Sequence, residues 1–304
     1  MQTQRFGSTD WKVSRLAYGC WRLAGSEGFP LNDDGAVGIR AVLAASDAGY
    51  TLFDLADIYG GGESELIFGR ALRERPGLRD QLIVVSKCSI RRSGEPDADA
   101  PYRYDASADY IVSSVEGSLR RMGISHLDVL LLHRPDYLLD PAEVAGAFER
   151  LRKEGKVREF GVSNFRPAQA AALQNALGRP LVTHQFQLSL AHREALDDGS
   201  IEQCLTDRWT PMAWSPLARG HLFDIDSPPL AAVQTLLAAL AAEQKVTPAA
   251  MAVAWLLRHP AGIIPVVGTV QPQRIQELAA APTCTLSREN WYRLLVAARG
   301  SRLP

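Results

Sequence analysis

Short apolar runs and helical stretches alternate along this chain with a regular beat. One run covers residues 16–19. Three more end at Asp54, Lys87 and His133, and four others cover 159–162, 182–186, 211–214 and 263–267. Each is too continuously apolar for a strand wetted on one face, which predicts strands buried in a parallel sheet. Between them lie segments with apolar residues every three to four positions. Ile111, Val115, Leu119 and Met122 form one such stripe, opened by Ser107 and stopped by Gly123. Asp140-Pro141-Ala142-Glu143 predicts another start, with an N-cap, a proline in the first turn and an acid, and Gly155 ends that helix. Helices are also expected from Asp33 or Asp34 to Gly49, over 63–73, up to Gly178, from near His192 to Thr206, over 230–244 and 247–258, and from Pro272. Residues 4–13 read as a hairpin ahead of this pattern, and Ser287 caps a last helix over 289–298 beyond it.

Eight strands alternating with eight helical segments fit a single (β/α)8 TIM barrel spanning 1–304 better than an open doubly wound sheet. The open sheet would be expected to show G-x-G-x-x-G after its first strand, where this chain has Gly19-Cys20-Trp21. The longest irregular stretch, 91–106, is polar and carries Gly94, Pro96 and Pro101, a composition expected of a lid or a loose loop.

Composition narrows the function more than the fold. The chain has 304 residues, 46% of them hydrophobic, a net charge of −1 and a pI near 6.6. This balance gives no reason to expect nucleic acid or an anionic membrane as partner. No apolar run approaches the roughly eighteen residues a spanning helix needs, and the first residues lack the apolar core of a signal peptide. Cys20, Cys88, Cys204 and Cys284 are scattered without a C-x-x-C, so reduced thiols in a cytoplasmic protein are expected, with neither a disulfide frame nor a metal site.

The chemistry-bearing residues fall where barrels keep their active sites, at the C-terminal ends of strands. Three successive strands end in Asp54, Lys87 and His133, and Tyr59 follows Asp54 by five residues, with Gly60-Gly61-Gly62 after it. A carboxylate, an ammonium, an imidazole and a phenol on consecutive βα units make sense where a proton must be moved.

Taken in order, Asp57-Ile58-Tyr59-Gly60-Gly61, Ser86-Lys87-Cys88, His133-Arg134-Pro135-Asp136, Gly161-Val162-Ser163-Asn164-Phe165 and Pro211-Met212-Ala213-Trp214-Ser215 resemble the aldo-keto reductase superfamily over nearly the whole chain. Within it they are most similar to the YdhF-type branch of bacterial oxidoreductases. The resemblance implies NADPH-dependent reduction of an aldehyde or ketone, a small-molecule carbonyl substrate and no metal. It places a catalytic tetrad on Asp54, Tyr59, Lys87 and His133. Tyr59 would be the general acid, its pKa lowered by the Lys87 ammonium, with Asp54 holding Lys87 charged and His133 orienting the carbonyl. It places the nicotinamide carboxamide against Ser163, Asn164 and Gln185, and the ring against Trp214. The pyrophosphate falls to the loop of Ser215, Pro216, Leu217 and Gly220. The adenosine end falls to Gly268, Thr269, Arg274 and Glu277, with Thr269 and Arg274 toward a 2′-phosphate at the start of the eighth helix. Gly268 and Leu278 stand where some members carry a lysine and an asparagine. Trp21, Tyr102 and Tyr104 are expected to line the substrate pocket.

Two other readings fit parts of the pattern. Some relatives are β subunits of potassium channels, in which the barrel regulates a partner with little turnover. A metal-dependent barrel hydrolase would use His133, His184 and Asp54, but it would want an H-x-H on an early strand, and Lys87 would repel its cation.

Overall fold

The computed structural model describes residues 1–26, 29–30, 34–224 and 230–303. Its centre is a closed barrel of eight parallel strands: β1 (Ala17–Gly19), β2 (Leu52–Asp54), β3 (Ile83–Cys88), β4 (Leu127–Leu132), β5 (Val157–Ser163), β6 (Thr183–Gln187), β7 (Thr210–Trp214) and β8 (Ile264–Val267). Each pairs with its neighbour in sequence, and β8 closes on β1 through Val266–Ala17 and Val267–Tyr18.

Among the described residues, ten helices surround it: α1 (Ala36–Asp47), α2 (Glu63–Glu74), α3 (Ala108–Met122), α4 (Pro141–Lys153), α5 (Pro167–Leu177), α6 (Ser200–Asp207), α7 (Ala231–Gln244), α8 (Pro248–Leu257), α9 (Pro272–Leu278) and α10 (Arg288–Arg299). The α3 stripe is buried as its spacing predicts, and Gly123 ends the helix in a left-handed turn. Asp140 caps α4 by accepting from the Ala142 amide at 2.8 Å. Glu143 reaches across to the Ala108 amide at 2.7 Å, so the acid expected to serve its own helix serves the start of α3.

Two predicted helix starts differ. The cap of α1 is Gly35, in the left-handed region, and Asp34 instead pairs with Arg70 of α2 at 3.3 Å; Asp33 lies outside the described residues. The helix expected from His192 breaks into a short 3-10 turn, Glu194–Leu196, and then α6, because Gly199 takes a left-handed turn between them. All four cysteines are free thiols. Among the described residues, no helix is long and apolar enough to cross a membrane.

Strand side chains alternate between two apolar masses. Leu52, Val85, Val129, Leu131, Met212, Ile264 and Val266 pack together inside the barrel. Phe53, Val84, Leu130, Leu132, Phe160 and Val162 face the helical shell. The N-terminal hairpin, Thr3–Arg5 against Lys12–Ser14, stops the barrel's lower end. Phe6 is wholly buried in the interior mass, and the next residue, Gly7, donates its amide to Thr210 Oγ1 at 2.7 Å. The opposite end stays open and carries the polar residues. Parity explains which ones: Asp54, Lys87 and Trp214 lie two positions after the inward Leu52, Val85 and Met212, and His133 lies two after the inward Leu131.

β5 makes room for this interior with a glycine. A Cβ at Gly161 would lie 2.5 Å from the Thr183 carbonyl and 2.7 Å from a Leu131 methyl, contacts that require the strands to part. Gly161→Ala is expected to cost about 1–3 kcal/mol by overpacking. It would be read as a lower urea midpoint with unchanged slope; a wild-type midpoint would show that the barrel wall yields freely.

Candidate active site

At the open end, Lys87 Nζ donates three hydrogen bonds: to Asp54 Oδ2 at 2.8 Å, to the Leu55 carbonyl at 2.7 Å and to Tyr59 Oη at 3.1 Å. An ammonium has three protons, so none is left over. Lys87 and Asp54 are 1% and 2% exposed, and Gln185 Nε2 donates to the other Asp54 oxygen at 2.8 Å. Tyr59 reaches this cluster because the chain turns sharply beyond it. Gly60, Gly61 and Gly62 all adopt positive φ, which glycine takes without steric cost, before α2 begins. The His133 ring stands edge-on to Tyr59 with centroids 5.9 Å apart. The expected tetrad is therefore assembled from four different elements.

The electrostatics of the cluster differ from expectation in one respect. Burial raises the Tyr59 phenol above its ordinary value, and the Lys87 charge and hydrogen bond oppose that rise without reversing it. For Lys87 itself, burial works to lower the ammonium, but Asp54 and Tyr59 outweigh it and the net direction is up. Burial, with Lys87 and Arg134 nearby, holds His133 well below the usual imidazole range, so at neutral pH it is uncharged.

Asp54, Tyr59, His133 and Gln185 of this cluster line a cavity of about 820 Å³, with Lys87 behind them, within the range of small-molecule sites. The cavity extends along the barrel mouth to Gly268, Thr269, Arg274 and Glu277. Ser163, Asn164, Gln185, Trp214, Ser215, Pro216, Leu217 and Gly220 all line it, as do Trp21 and Tyr102. Asn164 is held in the left-handed region and is nearly saturated within the protein. It donates to the His133 carbonyl at 3.0 Å and to Ser163 Oγ at 2.8 Å, and accepts from Trp214 Nε1 at 2.9 Å.

Tyr104 does not line the cavity. It stacks on the exposed Tyr137 at 6.5 Å and meets Tyr102 edge-on. The 91–106 stretch is not loose: Ile90–Arg91 pairs with Arg103–Tyr104, and Arg91 is tied to Asp105 at 2.9 Å. The hydrolase reading loses His184, which is turned outward against Phe186 and Trp209. Among the described residues, no three His, Cys, Asp or Glu side chains gather as a metal site.

The long arm of the cavity fits a dinucleotide. After Trp214, the residues Ser215, Ala218, Arg219 and Gly220 all have positive φ, a curled backbone of the kind that turns amides toward an anion. Arg274 makes no ion pair among the described residues, since Gln273 bonds Glu277 instead, at 2.9 Å. Because α9 spans only seven residues, the case for a phosphate there rests on the Arg274 and Thr269 side chains, and the helix terminus adds little to it. Sequence reading passed over Arg22, Arg134, Arg219 and the Thr247–Pro248–Ala249 start of α8, which also line the cavity. Arg134 and Arg219 lie inside stretches already singled out, beside His133 and Gly220, so their signal was adjacency.

A barrel with a proton-moving cluster beside a long cavity suits an oxidoreductase, and comparison with known proteins agrees. The model of the aldo/keto reductase family matches residues 15–296. The chain is 40% identical over 294 residues to a 6-dehydroglucose reductase from Agrobacterium fabrum, covering 96% of each. It is 39% identical over 298 residues to the oxidoreductase YdhF of Escherichia coli, again 96% of each. A glycerol dehydrogenase structure from Gluconobacter oxydans superposes with a TM-score of 0.85 at 27% identity, covering 99% of this chain and 97% of that one. The chain belongs to the aldo/keto reductase family and is an NAD(P)H-dependent oxidoreductase.

One buried acid beside the site titrates unusually. Asp57, two residues before Tyr59, is pushed up to about 7 by burial, against hydrogen bonds from Ser114 at 2.8 Å and Tyr110 at 3.2 Å. A carboxyl raised in the fold stabilises the native state at low pH, and this contribution is lost as pH rises from the unfolded value of about 4 through the folded one. The stability of wild type relative to Asp57→Asn is therefore expected to fall across that window in urea unfolding. Parallel pH profiles would show that Asp57 titrates alike in both states.

Proposed function

We propose that this enzyme reduces an aldehyde or ketone to an alcohol with NADPH, and that Tyr59 supplies the proton. The observation that carries this reading is the 3.1 Å contact from Lys87 Nζ to Tyr59 Oη on the cavity floor, with His133 alongside. A reduced nicotinamide, when bound, would supply the hydride that the carbonyl carbon takes up. Tyr59 gives its phenolic proton to the carbonyl oxygen. The raised phenol keeps that proton at neutral pH until charge builds on the oxygen, and Lys87 steadies the phenolate that remains. Uncharged His133 orients the carbonyl without competing as a cation.

For the cofactor, Ser163, Asn164 and Gln185 would hold the carboxamide, Trp214 would offer an aromatic surface to the nicotinamide, and the 215–220 loop would take the pyrophosphate. Arg274 and Thr269 take the 2′-phosphate, which is the basis for preferring NADPH over NADH. Relatives named as reductases of a dehydro-sugar support the direction of the reaction.

A steady-state assay of carbonyl compounds with NADPH and with NADH tests the reading, and it also separates it from a regulatory barrel with little turnover. Tyr59→Phe is expected to lose kcat by about 10²- to 10⁴-fold, the range of a positioned acid, with little change in the NADPH dissociation constant. A variant that keeps most of its kcat would remove Tyr59 from the role. Arg274→Ala is expected to weaken NADPH at least about tenfold, as loss of a charged hydrogen bond implies, and NADH by under about threefold. Equal weakening of both would mean that Arg274 supports the site's shape, and equal wild-type affinities would refute the NADPH preference.

A further inference from the structure

The substrate end of the cavity holds a cation that the mechanism above does not use. Arg134 follows His133 at the end of β4, and its guanidinium stands 5.9 Å from the centroid of the Trp214 ring. Its charge is felt by the two other groups that bound this end. It adds to the effect of burial and of Lys87 in lowering His133, and it opposes the rise that burial and Tyr104 produce in Tyr102. Arg134 is thus placed among His133, Tyr102 and Trp214, all of them cavity-lining.

Nothing in the described protein neutralises it. The Arg134 amide donates to Ser89 Oγ at 3.2 Å, but the guanidinium has no hydrogen-bond acceptor and no ion-pair partner among the described residues. The nearby acids are engaged elsewhere. Asp136 accepts from the amides of Ala106 at 2.9 Å and Leu138 at 3.0 Å, and Asp105 pairs with Arg91. Of the acids lining the cavity, Asp54 is held by Lys87 and Gln185, Asp224 pairs with His221 at 2.6 Å, and Glu277 lies on α9 near Arg274. Lys87 is matched by Asp54, and Arg22 and Arg219 lie against the Trp21 ring, which leaves Arg134 as the cation beside His133 and Trp214. A guanidinium presents a planar fork of donors that matches a carboxylate in two parallel bonds. Such a fork beside the catalytic groups, lacking an acid of its own, selects a ligand that brings one.

We propose that Arg134 is a specificity-determining residue that binds a carboxylate on the substrate, so that the preferred substrates are carbonyl compounds carrying an acidic group. This deepens the reductase reading and rests on it for the carbonyl part only.

The test uses the full-length enzyme with NADPH and pairs of substrates that differ only in charge: the three positional isomers of formylbenzoate, each against its methyl ester. For the isomer turned over best, the ratio of kcat/KM for acid over ester is expected to fall about 10- to 100-fold in Arg134→Gln, as loss of a charged hydrogen bond implies, mainly through KM for the acid. Arg134→Lys, which keeps the charge and loses the fork, is expected to recover part of the ratio. A ratio that is the same in wild type and Arg134→Gln would overturn the proposal. Absence of turnover with every substrate would instead sink the reductase reading. In that case the carboxylate site is read directly from benzoate binding to the NADP+-loaded protein by calorimetry. Benzoate is expected to bind at least about tenfold more weakly to Arg134→Gln than to wild type, and equal dissociation constants would refute the site.

Discussion

The buried pair of Lys87 and Asp54 is the constraint on which the open end of the barrel depends. Moving either ion out of water costs several kcal/mol, and a buried pair repays that only when every remaining donor and acceptor is met. Here the requirement is satisfied from three directions. Lys87 donates to Asp54, to the Leu55 carbonyl and to Tyr59 Oη, while Gln185 Nε2 donates to the second Asp54 oxygen. The ends of β2, β3 and β6 and the turn carrying Tyr59 are thereby tied to one ammonium. Removing one member leaves a buried charge without its partner, a far larger disturbance than the loss of one contact. The same saturation accounts for the direction in which the groups titrate. Lys87 is held charged although it is buried, and Tyr59 keeps its proton although a cation touches it.

Much of the barrel was legible in the residues because one rule recurs along the chain. A short apolar run followed by a polar residue, as at Asp54, Lys87 and His133, marks both a strand and the end at which it opens. Strands that all open at the same end put Asp54, Lys87 and His133 on one rim, and the pleat seen in the fold explains why their side chains turn inward. What failed was local and had local causes. Asp34 resembled a cap, but Arg70, distant in sequence, competes for it. Gly199 interrupts a stretch whose periodicity reads as one helix. The long polar stretch 91–106 looked loose because its stabilising contacts, Arg91 with Asp105 and with the Tyr110 ring, are not periodic.

The candidate site was legible to a different depth. Residues on the floor announce themselves by standing at strand ends. Those along the wall do not, since an arginine in a loop has no sequence signature that separates a ligand-facing side chain from a solvated one. Arg134 and Tyr104 illustrate the point from both sides. The first stands in a motif that assigns its side chain no task, while the second, expected at the pocket, stacks on Tyr137 outside the cavity. Charge balance does not help either: a net charge of −1 over the chain coexists with a mouth that holds four arginines. Buried polar ties such as Glu65 with Ser86 and Arg121 were also invisible, because they join side chains that only the closed barrel brings together.

The hairpin that stops the lower end, with Phe6 driven into the interior, makes the cavity a blind-ended sac. Whatever enters the barrel enters and leaves past the same rim, so a large ligand and a small one share a doorway. Substitutions in the plug alter how well the barrel stands, whereas substitutions on the rim alter the exchange of every visitor at once.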